Sequence, residues 1–229
     1  MKFSTAVSDI GNVFLNRRFL VVLTVLYASI FVWWGWNPVY RFDWALENML
    51  PTLMVLVLVF SFRRLPLSDI SYLLLFLFLV LHQMGAHYTY SEVPLGFWMQ
   101  EAFGFTRNHF DRIVHFCFGF LLFYPMREII IRHVTPSSFH AGLYALSLNT
   151  AGSAIFEIIE MAVALVVNPE AGTAYLGMQG DIWDAQKDMA QALCGSVIAF
   201  GLTELAVRTH ILDSFFGPRD PRFRTSDYA

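Results

Sequence analysis

Residues able to do chemistry recur at helical spacing within apolar stretches. Asn108, Asp111, Arg112 and His115 share one helical face, which Gly119 continues. Asn149, Ser153, Glu157 and Glu160 form a second such face, and Asp181, Asp184, Asp188 and Gln191, with Gly195 following, form a third. His82 stands towards the end of a further stretch, with His87 and Tyr88 beyond it. Carboxylates combined with imidazole suit zinc, manganese or iron. Carboxylates alone, notably Asp184 with Asp188, suit magnesium or calcium. The candidate metal ligands are therefore His82, Asp111, His115, Glu157, Glu160, Asp184 and Asp188. Asp111, His115, Glu157 and Glu160 are also the candidate acid–base groups. Arg107, Arg112 and Lys187 are candidates for holding an anionic substrate, since guanidinium and ammonium groups pair with phosphate or carboxylate.

A plainer reading exists for some of these residues. A single polar side chain in a span is often a helix–helix hydrogen bond, and Asn108 and Asp181 fall where helix caps belong. Glu157 and Glu160 fit that reading badly. Counted back from Asn168 at about 1.5 Å per residue, they lie about 12–16 Å below the helix end. If the three faces converge, Asp111, Glu157, Glu160, Asp181, Asp184 and Asp188 outnumber Arg107, Arg112 and Lys187. Such an excess cannot stay ionised in a low-dielectric bundle unaided. A divalent metal ion would resolve it, and so would protonation.

The elements that position these residues are membrane spans. The chain has 229 residues, 56% of them hydrophobic and only 14% charged, where a soluble domain carries about 25% charge. That excludes a disulfide scaffold, a disordered chain and a nucleic-acid binder. Cys117 and Cys194 both lie in apolar segments, which reads as two lipid-embedded thiols. Spanning a hydrocarbon core takes about 20 mostly apolar residues. Six stretches qualify, at about residues 19–36, 45–62, 70–90, 108–127, 139–167 and 181–207. The expected fold is an all-α six-span bundle over residues 1–216, followed by a disordered cytoplasmic tail, 217–229.

Basic residues orient the bundle. With the N-terminus cytoplasmic, Lys2, Arg17, Arg18, Arg63, Arg64, Arg127, Arg132, Arg208, Arg219, Arg222 and Arg224 fall inside, and only Arg41, Arg107, Arg112 and Lys187 fall outside. That is the positive-inside pattern, with both termini cytoplasmic and the acidic faces at the outer ends of their spans. Trp33, Trp34 and Trp36 close the first span at headgroup level, which a cleaved signal peptide would not do. The segment 91–107 carries Phe97, Trp98, Phe103 and Phe105 and is expected to lie in the interface. Membrane lipids are the expected partners, with neither nucleic acid nor a soluble protein indicated.

Known catalytic signatures are absent: no His-Glu-x-x-His, no phosphate-binding glycine loop, no Gly-x-Ser-x-Gly elbow. Gly180-x3-Asp184-x3-Asp188 matches half of the metal motif of CDP-alcohol phosphotransferases, whose other half is missing. The runs HQMGAHYTYSEVPLG (82–96), RNHFDRIVHFCFGF (107–120), REIIIRH (127–133), EIIE (157–160) and GMQGDIWDAQKDM (177–189) resemble the YjdF-like family over about residues 45–208. That resemblance implies a multi-pass bacterial inner-membrane protein and brings no activity with it. A fainter similarity links residues 111–116 and the acidic segment ending at Asp188 to VanZ-like membrane proteins. There Glu160 and Gln191 depart from the pattern, so no role is carried over.

Three functional readings follow. The first is a metal-dependent enzyme acting on a lipid or lipid-linked substrate at the outer leaflet. The second is a proton-coupled transporter with the carboxylates as relay. Against it, the sixth span offers only Glu204 near the cytoplasmic side, where Arg208 one turn later can pair it. The third is a structural bundle.

Overall fold

The computed structural model describes residues 16–167 and 169–209, all of whose regular elements are helical. The expected disordered tail, 217–229, and the basic residues Lys2, Arg219, Arg222 and Arg224 lie outside the described residues. Helix α1 (Arg17–Trp36) is followed by α2 (Arg41–Glu47) and α3 (Met49–Ser61), then α4 (Asp69–Tyr88), a 3-10 turn (Tyr90–Glu92) and α5 (Pro94–Phe103). The long α6 (Phe110–His133), α7 (Ser138–Val166), the short α8 (Pro169–Leu176) and α9 (Asp184–Arg208) complete the order. Six helical stretches are long and apolar enough to cross a membrane, with α2 and α3 together forming the second.

Local chemistry explains the breaks. Pro51 has no N–H and cannot close the helical bond to the carbonyl of Glu47. The chain therefore divides at Asn48, whose side chain donates to the Trp44 carbonyl at 2.8 Å. Asn16 accepts the backbone N–H groups of Arg18 and Phe19 at the start of α1, and Ser137 accepts that of His140 at the start of α7. Helix α4 ends on Thr89 in the left-handed region, and α5 ends on Gly104 at φ +68°.

The spans differ from expectation at three ends. The fourth continues six residues past Arg127 to His133, because Arg127 is buried against Ser138 and Glu204 rather than ending the helix at water. The second begins at Arg41, four residues earlier, and so takes in Asp43 as well as Glu47. The sixth begins at Asp184, with 181–183 in a turn.

Helix α6 is the central element, packed against α4, α7 and α9. Its approach to α9 depends on glycine. A Cβ on Gly119 would run into the Ala192 carbonyl and lie 2.9 Å from Ser196 Oγ; one on Gly195 would run into the Phe116 carbonyl and lie 2.9 Å from the Phe120 nitrogen. Small residues permit such contact between spanning helices. Backbone cannot yield as a side chain can, so Gly195→Val should destabilise the protein by at least about 1–3 kcal/mol, read as an earlier loss of helicity in SDS titration of detergent-purified protein.

Each end of the bundle has its own polar chemistry. At the end carrying Arg17 and His133, Glu128 accepts the Ser68 backbone N–H at 2.9 Å and the Ser68 and Ser71 hydroxyls, and pairs with Arg132. Glu204 pairs with Arg127 at 3.2 Å and accepts from Ser138 at 2.8 Å. Its partner is thus Arg127 on α6, rather than Arg208 on its own helix. Both clusters are satisfied clamps between helices.

Candidate metal centre

The other end gathers acids from four helices, in two layers. The first is neutralised. Arg107, 7% exposed, grips Asp184 with both terminal nitrogens and also donates to the Met178 carbonyl at 3.0 Å. Arg112 Nη2 donates to Asp181 at 2.6 Å and to Asp184 at 3.1 Å, and Lys187 reaches Asp181 at 2.6 Å. Asp181 in turn accepts the Trp183 backbone N–H at 3.1 Å, which shapes the turn into α9. The sequence expectation of an anion site at Arg107, Arg112 and Lys187 meets a different arrangement, in which two aspartates of the same chain engage all three. Asp184, expected as a metal ligand, has both oxygens held by arginine.

Lys187 first, then Arg112, hold the Asp181 carboxyl well below the ordinary carboxylate range. A depressed folded value means that its stabilisation is complete above the unfolded value of about 3.9 and is lost as pH falls through the folded one. Below pH about 4 the wild type should therefore lose thermal stability more steeply than Asp181→Asn, as melting curves in detergent between pH 6 and 3 would reveal.

The second layer lies one helical turn deeper and is less closely paired with cations. Asp111 and His115 on α6 and Asp188 on α9 each offer one ligand atom, and these atoms all lie within 4.8 Å of one another. His115 Nε2 is 3.6 Å from Asp111 Oδ1 and 3.4 Å from Glu157 Oε1. Asp188 is 2% exposed, yet its Oδ1 accepts no hydrogen bond, and neither does Glu157 Oε1. Arg112 Nε approaches Asp188 no closer than 3.9 Å. Buried carboxylate oxygens without donors are costly and are what a cation would satisfy. Two carboxylates and an imidazole fit zinc, manganese or iron.

Beneath these ligands lies a cavity of about 300 Å³. Met54, Phe78, Phe118, Leu122, Phe156 and Ile159 form its apolar walls, while Asp111, His115, Glu160, His82 and Tyr90 supply polar groups. An apolar chamber with a few polar groups is the general form of a small-molecule site.

His82, expected among the ligands, is otherwise engaged. Its Nε2 lies 3.1 Å from the Glu47 carbonyl that Pro51 leaves free, and its Nδ1 lies 2.5 Å from the Tyr90 hydroxyl. A carbonyl only accepts, so Nε2 carries the proton and Nδ1 receives the phenol. Burial, then the charge of Glu47, pushes the Tyr90 phenol well above its ordinary range, which keeps it a donor. Gly85 leaves room for the Tyr90 ring, which would lie 2.5 Å from a Cβ there.

Asp43 and Glu47, each 5% exposed, and Tyr90 and Tyr175 also stand at this end, and helical spacing in the sequence does not single them out. The signal for Glu47 was Pro51 four residues later, which breaks the helix and turns its carbonyl and carboxylate inward.

A family profile described as "Predicted membrane protein (DUF2238)" matches residues 19–209. The chain belongs to the DUF2238 family. Every residue of the two acidic layers falls inside that match. Inner membrane protein YjdF of Escherichia coli (strain K12) is 35% identical to this DUF2238 chain over 170 residues, which cover 73% of it and 80% of YjdF. No solved structure matches the chain. The DUF2238 chain is thus a multi-pass membrane protein similar to one of the bacterial inner membrane.

Proposed function

We propose that the protein is a metal-dependent enzyme of the bacterial inner membrane that acts on a lipid or lipid-linked substrate. One observation carries the reading: Asp111, His115 and Asp188 converge at the polar end of an apolar cavity. The three would hold a divalent ion, with Glu157 and Glu160 as acid–base groups beside it. Such an ion polarises a bound oxygen or activates water. The hydrophobic part of the substrate would occupy the cavity between α3, α4, α6 and α7. Arg107, Arg112 and Lys187 would act through Asp181 and Asp184, by fixing the segment that leads into α9. Basic residues favour both termini in the cytoplasm and the acidic end at the periplasmic face.

Transport is less well supported. Among the described residues, a hydrophobic cluster that includes Phe123, Ala145 and Ala199 stands between Asn149 and the Arg127–Glu204 pair and interrupts the run of polar groups there.

The test has two parts. Detergent-purified protein should retain a divalent ion by elemental analysis, and chelation should lower its melting temperature. Incubated with polar lipid extract, the metal-loaded wild type should consume a lipid species that Asp188→Asn and chelated protein leave intact, as read by mass spectrometry. Absence of any retained divalent ion, together with a melting temperature indifferent to chelator, would overturn the reading.

A further inference from the structure

We propose that the cavity beneath Asp111, His115 and Asp188 is a chamber for one hydrocarbon chain of a lipid, which enters sideways from the bilayer between α3 and α7. This rests on the lipid-substrate reading above and adds the route by which the substrate arrives and the number of chains the site receives.

The walls set the direction of the occupant. Helix α6 lines the cavity from Asp111 to Leu122, and α7 lines it from Glu160 back to Gly152. At about 1.5 Å per residue the α6 wall is about 16 Å long, close to half of a hydrocarbon core of about 30 Å. The ionisable groups that line it, Asp111, His115, His82, Tyr90 and Glu160, stand in the half towards the acidic end. Towards the other end the walls are Met54, Phe78, Phe118, Leu122 and Gly152, with Ser153 the single polar residue at that level. A lipid of the leaflet at the acidic end already has this orientation, its head group at the surface and its chain towards the midplane. It can move in without turning over.

The side between α3 and α7 gives the route. Both helices line the cavity, α3 through Leu50, Pro51 and Met54, yet they are not close-packed against each other. Ile155 belongs to the cavity wall and is also 56% exposed, so it stands at an opening rather than behind a sealed wall. Counted back from Val166, the end of α7, it lies about 16 Å along the helix. Surface exposed at that depth of a spanning helix meets lipid chains, because the bilayer core holds no water. Helix α3 is also lightly held. Of its 13 residues only Pro51 is buried, and a second apolar cavity of about 290 Å³ lies between it, α1 and α4. Space on both sides lets α3 yield as a chain passes.

Volume sets the number of chains. An apolar cavity of about 150 Å³ binds benzene, so the about 300 Å³ present here takes about a dozen carbons. That is room for one chain and not for two. A two-chain lipid would leave its second chain in the bilayer, which a side opening permits and a closed chamber would not. Lipid tails are as apolar as these walls, so the chain gains little from the hydrophobic effect. It gains the dispersion contacts that a void denies to its lining.

Gly152 limits the depth. A Cβ there would lie 3.4 Å from the Phe118 ring, an ordinary contact. Alanine therefore fits, whereas leucine would extend into the far end of the chamber.

The experiment is photolabelling of the full chain in nanodiscs of phosphatidylethanolamine and phosphatidylglycerol. One preparation contains phosphatidylglycerol with a diazirine at the end of one acyl chain, and another a polyprenyl phosphate with a diazirine at the end of its chain. Cross-links at Phe118, Leu122 or Gly152, located by peptide mass spectrometry, are expected from at least one probe, and which probe labels identifies the source of the chain. EDTA-stripped protein should give them too, because these contacts lie below the metal ligands. Gly152→Ala should label like the wild type, and Gly152→Leu should lose the cross-link at Leu122. Ile155→Trp, at the opening, should label the same residues more slowly. Labelling by both probes confined to exposed residues such as Leu53, Ile158 and Leu165, and unchanged in Gly152→Leu, would overturn this inference whatever the metal content. Chamber labelling in a protein that retains no metal ion would uphold it while the enzymatic reading fails.

Discussion

Replacing Arg107 with alanine should cost about 3–5 kcal/mol of stability, the range for removing one partner of a buried ion pair. Arg107 holds both oxygens of Asp184, which is 4% exposed, and also donates to the Met178 and Gly177 carbonyls. Its loss would leave Asp184 to Arg112 alone and release the segment 177–181 from α6. The expected result is early unfolding in SDS titration, together with faster amide exchange across 177–184. Arg107→Ala combined with Asp184→Asn should recover much of the loss, because the stranded charge goes with its partner. A double variant as unstable as the sum of the single ones would show that the pair is not coupled.

Replacing Asp188 with asparagine should act in two directions. Asp188 is buried, accepts no hydrogen bond at Oδ1, and lies among Asp111, Glu157 and Asp184, with Arg112 Nε no closer than 3.9 Å. Without a cation, removing its charge relieves repulsion, and the apo protein should melt higher. With a cation the sign reverses. Losing even an outer-shell partner of a metal ligand typically costs 10–100-fold in affinity, so losing the ligand itself should cost at least about 100-fold. A cation at 100 times its dissociation constant stabilises the fold by about 2.7 kcal/mol, and that gain should vanish in Asp188→Asn. A purely structural aspartate would show the first effect without the second. His115→Gln should also lose the metal-dependent gain, without the rise in apo stability.

The spans were legible because hydropathy and basic residues dominate a chain in lipid, where every backbone polar group must be satisfied within the helix. Their ends were less legible. Arg127 reads as the cytoplasmic limit of a helix, yet it is buried and paired with Glu204 seventy-seven residues away. No local rule chooses that partner over Arg208. The faces on α6, α7 and α9 are visible in the sequence as steps of three and four, which single out Asp111, His115, Glu157 and Asp188.

The division of the acids into a paired layer and an unpaired one was not visible. It depends on Arg107, in the loop before α6, reaching across to Asp184 at the start of α9. Spacing within one helix does not report such contacts. Asp184 and Asp188 look equivalent in sequence and differ by one helical turn of depth, enough to give one two arginines and leave the other without a donor on Oδ1. Glu47 escaped for a related reason. It falls inside the expected second span, but its neighbours at this end stand on other helices, and the break at Pro51 is what frees the end of α2 to turn inward. His82 carried a signal that pointed elsewhere: an intramembrane histidine suggests a ligand, whereas a freed carbonyl and Tyr90 occupy both of its nitrogens.

At the centre of the proposed site is a cation bound by the imidazole of His115 together with carboxylates from α6 and α9. Electron spin echo modulation of protein loaded with one equivalent of Mn2+ addresses that bond directly, since only a coordinated nitrogen gives the 14N pattern. The proposed site should give 14N modulation in the wild type that disappears in His115→Gln. Manganese bound with no nitrogen coupling, or coupling that survives His115→Gln, would contradict it.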